Sequence, residues 1–102
     1  MLFVKKKDGR REQFNREKLL SGVIRACEKT NISTEEVRLI VDKIEQELRN
    51  EDTVEIESRR IGQLVSIHLK KLDKVAYIRF SSVFKRFVDL EDFEKELKRL
   101  IK

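Results

Sequence analysis

VKKKDGRREQFNREKL, residues 4–19, decides how this chain folds. Residues 3–7 and 10–14 flank Asp8-Gly9, a dipeptide that tolerates positive φ at both central positions of a two-residue hairpin. The reading is a β-hairpin. Asn15 follows at once, and its side chain can accept from the next backbone N–H groups, opening a helix over roughly 16–29. Leu19, Leu20, Val23, Ile24 and Cys27 then share one helical face. A hairpin feeding straight into an amphipathic helix makes the fold α+β.

The rest of the chain extends that start. Ser33 with Glu36 is a capping box, opening a helix to about residue 49 with Val37, Ile40, Val41, Ile44 and Leu48 as its stripe. TVEIE, residues 53–57, alternates and places Val54 and Ile56 on one side, which suits a third strand added to the hairpin. Ser58 is expected to cap a third helix that buries Ile61, Leu64, Val65, His68 and Leu72. Asp73 starts a fourth, with Ala76, Phe80, Val83, Phe84 and Phe87 inward, and Asp89 a last one anchored by Phe93, Leu97, Leu100 and Ile101. Isolated helices of this length are marginal in water, so they must dock on one another. The expectation is a mainly α, α+β fold: a four- to five-helix bundle with a short three-stranded antiparallel sheet, residues 1–102 forming one domain.

Composition narrows the function. Charged residues are 42% of the 102, hydrophobic ones 39%, and no apolar run approaches the ~18 residues of a membrane span. The single cysteine, Cys27, excludes an internal disulfide and a zinc ribbon and, without an export-type leader, points to a reducing cytoplasm. Net charge is +5 but segregated: residues 1–18 hold seven cations and three acids, 33–57 three cations and nine acids, 58–88 eight cations and one acid. Such asymmetry fits an anionic partner, and it equally fits acid–base neighbours inside the fold.

Enzyme motifs are absent. With only Gly9, Gly22 and Gly62 there is no glycine loop to cradle phosphate. His68 and Cys27 lie singly on apolar helix faces, the pattern of packed residues rather than of a base, nucleophile or metal ligand. The cations carry more. Arg16 and Lys18 fall in the first turn of one helix, Arg59 and Arg60 in that of another, where the helix dipole penalises a cation by a few tenths of a kcal/mol. Beside a strand bearing Lys5, Lys6 and Lys7, two such misplacements call for a polyanion, unless the side chains simply point into water. Strand alternation separates Lys6 from Lys5 and Lys7. Gly22 and Gly62 interrupt the helices next to the basic residues, a mark of close helix packing or of a ligand.

These residues resemble a known family. VKKKDGRREQFNREKL is similar to the opening of the ATP-cone domain, an allosteric nucleotide-binding module at the N-terminus of many ribonucleotide reductases. RACEKTNIS, IEQELR, ESRRIGQLV, LDKVAYIRFSSVFKRF and DLEDFEKEL resemble the ATP-cone half of the bacterial repressors of ribonucleotide reductase genes. The resemblance implies binding of ATP and dATP, with Mg²⁺ allowed alongside them, and control of self-association by the bound nucleotide. In that family a zinc ribbon with paired Cys-x-x-Cys motifs precedes the cone and contacts DNA. This sequence has no such ribbon, so DNA contact is expected only through one, and the chain reads either as a regulatory part of a repressor or as a stand-alone cone. By the family's pattern, Val4, Lys6, Lys7, Glu12, Asn15, Lys18 and Ser58 are nucleotide-binding positions. Lys6, Lys7 and Lys18 suit phosphates, Glu12 and Asn15 base or sugar, and the backbone through Lys5 an adenine edge. Lys7 keeps the charge but not the planar fork of the arginine common there. Tyr77 and Arg79 are candidates for a second pocket, or for anchoring a helix. The competing reading is a basic nucleic-acid-binding domain using residues 58–88 on phosphates, and the plainest is a charged helical domain whose charges only solubilise it.

Overall fold

The computed structural model describes the backbone of residues 1–101 and the side chains of residues 1–84 and 98–100. The elements run β1 (Phe3–Lys5), β2 (Arg11–Gln13), α1 (Arg16–Cys27), α2 (Thr34–Asn50), β3 (Glu55–Glu57), α3 (Ser58–Leu72) and α4 (Lys74–Ile101).

The hairpin forms where expected, with a different turn. Gly9 donates to the Lys6 carbonyl at 2.9 Å, Lys6 donates to the Arg10 carbonyl at 2.8 Å, and in this turn Gly9 alone takes positive φ, at 94°. This is a three-residue loop, a tight turn followed by a left-handed glycine, rather than a two-residue turn with positive φ at Asp8 as well. Asp8 instead accepts from the Arg10 N–H at 3.1 Å, which fixes the turn locally.

The third strand pairs on the other side from a simple meander and in the other sense. Strand order is β2-β1-β3, with β1 and β2 antiparallel but β1 and β3 parallel, Val4 opposite Ile56. The sheet is therefore mixed, not wholly antiparallel. Two helices separate β3 from the hairpin, so no tight turn dictates its pairing; it runs opposite to β2, from which the chain leaves, and hence parallel to β1. Only Ile56 of the expected TVEIE face is buried; Val54 lies before the strand and is exposed.

Helix boundaries follow their caps. Asn15 accepts from the Lys18 N–H at 3.1 Å, and Ser33 and Glu36 form the full capping box. Asp73 serves twice, its N–H closing α3 on the Leu69 carbonyl and its carboxylate accepting from the Ala76 N–H to open α4. No loop separates these helices. The expected break at Asp89 does not occur, since α4 runs on to Ile101. The described residues thus form four α-helices.

The core sits among α1, α2 and α3, roofed by β1, β3 and the start of α4. Val23, Val37, Val41, Ile44, Leu48, Val65, Leu69 and Ala76 are at most 1% exposed. Burial of each large aliphatic chain contributes about 1.5–3 kcal/mol. Leu69 rather than Leu72 fills the last core position of α3, and Leu72, Val83 and Leu100 are exposed against expectation. Phe87, Phe93, Leu97 and Ile101, expected to pack inward, lie outside the described side chains.

Candidate functional site

The hairpin stands over the start of α1 and the start of α3, and a cavity of about 180 Å³ opens between them. Its walls include Val4, Lys6, Glu12, Asn15, Lys18 and Ser58, six of the eight positions that the family resemblance put forward. Lys5 and Lys7 are not among the lining residues. Alternation explains the choice: Val4 and Lys6 face inward, whereas Lys5 is on the outer side and exposed.

Two ammonium groups meet at one oxygen. Lys6 Nζ is 3.7 Å and Lys18 Nζ 3.4 Å from Glu12 Oε1. The Lys6 side chain is only 12% exposed, while Lys18 rises from the first turn of α1, 65% exposed. A strand, its hairpin partner and a capped helix end thus deliver one carboxylate and two cations to a point. The arrangement holds two flexible side chains where an incoming phosphate oxygen can exchange with the carboxylate.

Asn15 is partly spent, since its carbonyl oxygen caps α1; the residue also lines the cavity, and its amide NH₂ is a donor. Ser58 has a different place from the one expected. It does not cap α3, because Glu57 is still extended at φ −69°, ψ 137° and takes the cap position without a side-chain bond. Ser58 has already turned helical and is one of the residues of the cavity wall. The backbone of β1 is taken up by β2 on one edge and β3 on the other, and that of Lys6 by the turn. Side chains, not strand backbone, face the cavity.

Lys18, Leu19, Ser58 and Ile61 also border a second cavity of about 790 Å³, between α1, α3 and the first half of α4. Its interior is apolar, formed by Ala26, Ile61, Ile78, Phe80 and Phe84 among others, with Arg25 and Arg79 at the rim. The smaller cavity alone falls below the ~300–1,000 Å³ of ordinary ligand pockets, and the larger one lies within that range. Two glycines shape it differently. A Cβ on Gly62 would strike the Phe84 ring, so this glycine lets α4 lie close on α3. A Cβ on Gly22 would meet nothing within 4 Å, so this one leaves room. The glycine interruption was the one sequence signal for the apolar cavity; Leu19 and Ile61 read simply as core.

Several other cations have local duties. Arg16 bridges Asp42 at 2.5 Å and Glu45 at 3.0 Å on α2, and those hydrogen bonds, Glu45 first, push its guanidinium further toward the charged form. Arg60 pairs with Glu51 at 2.9 Å, Arg10 with Asp8 at 2.6 Å, and Arg11 with Glu55 at 2.8 Å while lying over the Phe3 ring. Half of the basic helix starts are thus answered by the acidic stretch. Arg79 donates to the Glu28 carbonyl at the end of α1, a favourable place for a cation, and borders the large cavity. Tyr77 packs against the core with Lys70 over its ring at 5.8 Å and is not in either cavity wall. His68 is a core-edge residue, 19% exposed and 3.4 Å from Glu47. Burial pushes the Cys27 thiol up. Among the described residues no group of His, Cys, Asp and Glu is placed to hold a metal ion, and no helix is long and apolar enough to cross a membrane.

Comparison with known proteins finds a family and relatives along nearly the whole chain. The ATP cone domain family matches residues 2–90. The chain is 56% identical over 100 residues to the transcriptional repressor NrdR of Pelotomaculum thermopropionicum, covering 98% of this chain and 60% of that protein. It is 50% identical over 101 residues to NrdR of Geobacillus sp. strain WCH70, covering 99% and 66%. Against NrdR of Caldicellulosiruptor saccharolyticus it is 48% identical over 100 residues, covering 98% and 65%. The chain therefore spans less than two thirds of the length of these relatives.

Proposed function

The chain belongs to the ATP-cone family, and from that premise we propose that the cavity beneath its hairpin binds the phosphates of ATP or dATP in a regulatory, non-catalytic module. One observation carries the reading: Lys6 and Lys18 converge on a single oxygen of Glu12 at a cavity mouth. Charge-assisted hydrogen bonds to phosphate are about twice as strong as neutral ones, and here the two donors are already gathered. Ser58 and the Asn15 amide supply neutral donors beside them. The apolar compartment receives base and sugar, with Gly22 leaving the space open. Mg²⁺, if it enters, comes on the nucleotide, consistent with a wall whose one carboxylate among the described residues is Glu12.

The wider role follows from the relatives. We read these residues as the nucleotide-sensing part of a transcriptional repressor, acting on ribonucleotide reductase genes as the resemblance implies, in which ATP and dATP set different states of self-association. Operator binding is assigned to a whole repressor rather than to these 102 residues. The alternative of direct phosphate-backbone binding through residues 58–88 gains little support. Arg60 and Arg79 are engaged within the fold, and Lys70 lies over Tyr77, so three cations of that segment already have partners in the chain itself.

Titration calorimetry with ATP and dATP tests the binding. Saturable heat at sub-millimolar nucleotide is expected, and its absence for both would overturn the reading. Sedimentation of apo, ATP-loaded and dATP-loaded protein tests the switch, for which identical distributions in all three samples would count against it.

A further inference from the structure

Asp8 sits at the tip of a surface hairpin, yet its side chain is only 2% exposed. Its carboxylate takes the Arg10 N–H at 3.1 Å, Arg10 Nε at 2.6 Å and, from the far end of α4, Lys98 Nζ at 3.5 Å. The last partner is 90 positions away in sequence. A 28-residue helix is about 42 Å long. The first turns of α4 wall the apolar cavity with Ile78, Phe80 and Phe84, and its end reaches the hairpin tip. One helix therefore touches both the base compartment and the lid.

The tip is rigidly tied to the phosphate side. Lys6, whose side chain faces the cavity, gives its N–H to the Arg10 carbonyl and its carbonyl to the Gly9 N–H. Between Lys6 and Arg10 the turn has no slack, so a displacement of Lys6 is a displacement of Asp8. We propose that Asp8 and Lys98 are positioning residues for the nucleotide site: their ion pair fixes the hairpin over the cavity and couples its occupancy to the seating of the α4 end on the hairpin. The inference rests on the nucleotide reading above. It adds a reciprocal consequence, since whatever strengthens nucleotide binding through the latch is strengthened by nucleotide to the same extent. Neither residue lines either cavity, so neither acts by touching ligand.

The test is ATP calorimetry on the wild type, Lys98→Ala, Lys98→Arg, Asp8→Asn and the Asp8→Asn/Lys98→Ala double variant. Amide exchange at Gly9 and Arg10 is followed with and without ATP. The Asp8→Asn substitution keeps the acceptor for the Arg10 N–H and loses the charge. Lys98→Ala is expected to weaken ATP about two- to fivefold, the range a half-exposed ion pair carries. Lys98→Arg retains wild-type affinity, and Lys98→Ala adds nothing in the Asp8→Asn background. ATP slows exchange at Gly9 and Arg10 several-fold in the wild type and less in Lys98→Ala. Equal affinity and equal ATP-induced protection in wild type and Lys98→Ala would overturn the coupling while leaving nucleotide binding intact. A wild type that binds no ATP overturns the nucleotide reading and the latch with it.

Discussion

The two sides of α1 meet the same local excess of positive charge in opposite ways. Toward α2, Arg16 lies between Asp42 and Glu45, and Glu45 also holds Arg49 at 2.9 Å, so each guanidinium has a carboxylate fixed on a rigid helix. Toward the hairpin, Lys18 shares one carboxylate oxygen with Lys6 on the edge of a cavity. The first pattern fastens two helices and leaves nothing to bind. The second gathers charge where there is room for more oxygen atoms. Two residues apart in sequence, Arg16 therefore belongs to the scaffold and Lys18 to the proposed site, and what separates them is the element that carries the acid each meets, α2 for Arg16 and the hairpin for Lys18.

Breaking the comparison starts with Lys18→Ala. Loss of one charge-assisted phosphate contact costs about 1.5–3 kcal/mol, roughly ten- to a hundredfold in ATP affinity by calorimetry. The melting temperature without nucleotide should barely move, because Lys18 is largely exposed. Equal ATP affinity would return Lys18 to the solvated surface. The glycines extend the test. Gly62→Ala forces the Phe84 ring aside and should destabilise the protein by about 1–2 kcal/mol in urea unfolding, the cost of overpacking less the gain in helix propensity. Gly22→Ala meets no obstacle and should stabilise the apo protein by up to ~1 kcal/mol while lowering nucleotide affinity. Opposite signs from the same substitution would separate packing wall from binding wall.

Local rules carried most of the fold. Gly9, Asn15, the Ser33–Glu36 box and Asp73 each act within four residues, and each starts or turns an element where its chemistry says it must. What failed was non-local. The sense of β3 depends on two intervening helices, and the continuity of α4 through Asp89 shows that an acidic residue can begin a helix without having to. Ser58 missed its expected cap by one residue, which placed it on the cavity wall. In the site, strand alternation separated Lys6 from its neighbours but could not say which set faced inward; the burial of Val4 does. The pairing of Arg60 with an acid 9 positions away, and of Arg16 with one 29 away, was invisible in a list of charges, because it needs the helices to be docked first.

On the scaffold side the effects are smaller. Arg16→Ala removes a two-carboxylate clamp that is one third exposed, for an expected loss of about 1 kcal/mol in urea unfolding and no change in ATP affinity. A drop in affinity to match Lys18→Ala would erase the distinction between the two sides of α1.

The smallest effect is a pH dependence at the hairpin tip. The Arg10 N–H bonded to Asp8, helped by the Arg10 guanidinium and Lys98, holds this carboxyl below the usual aspartate range. A group whose pKa is lowered by folding adds stability above its unfolded value, about 3.9. That contribution is complete at neutral pH and is lost only as pH falls through the lowered native value. The Gly9 and Arg10 amide resonances should therefore titrate with a midpoint below that of an unstructured aspartate, and the turn should persist through mild acid. In Lys98→Ala the midpoint moves part of the way back up, because the largest cause, the Arg10 N–H, is untouched. An unchanged midpoint would mean that the far end of α4 exerts no field on the tip, and the difference between latched lid and fastened scaffold would then rest on Arg10 alone.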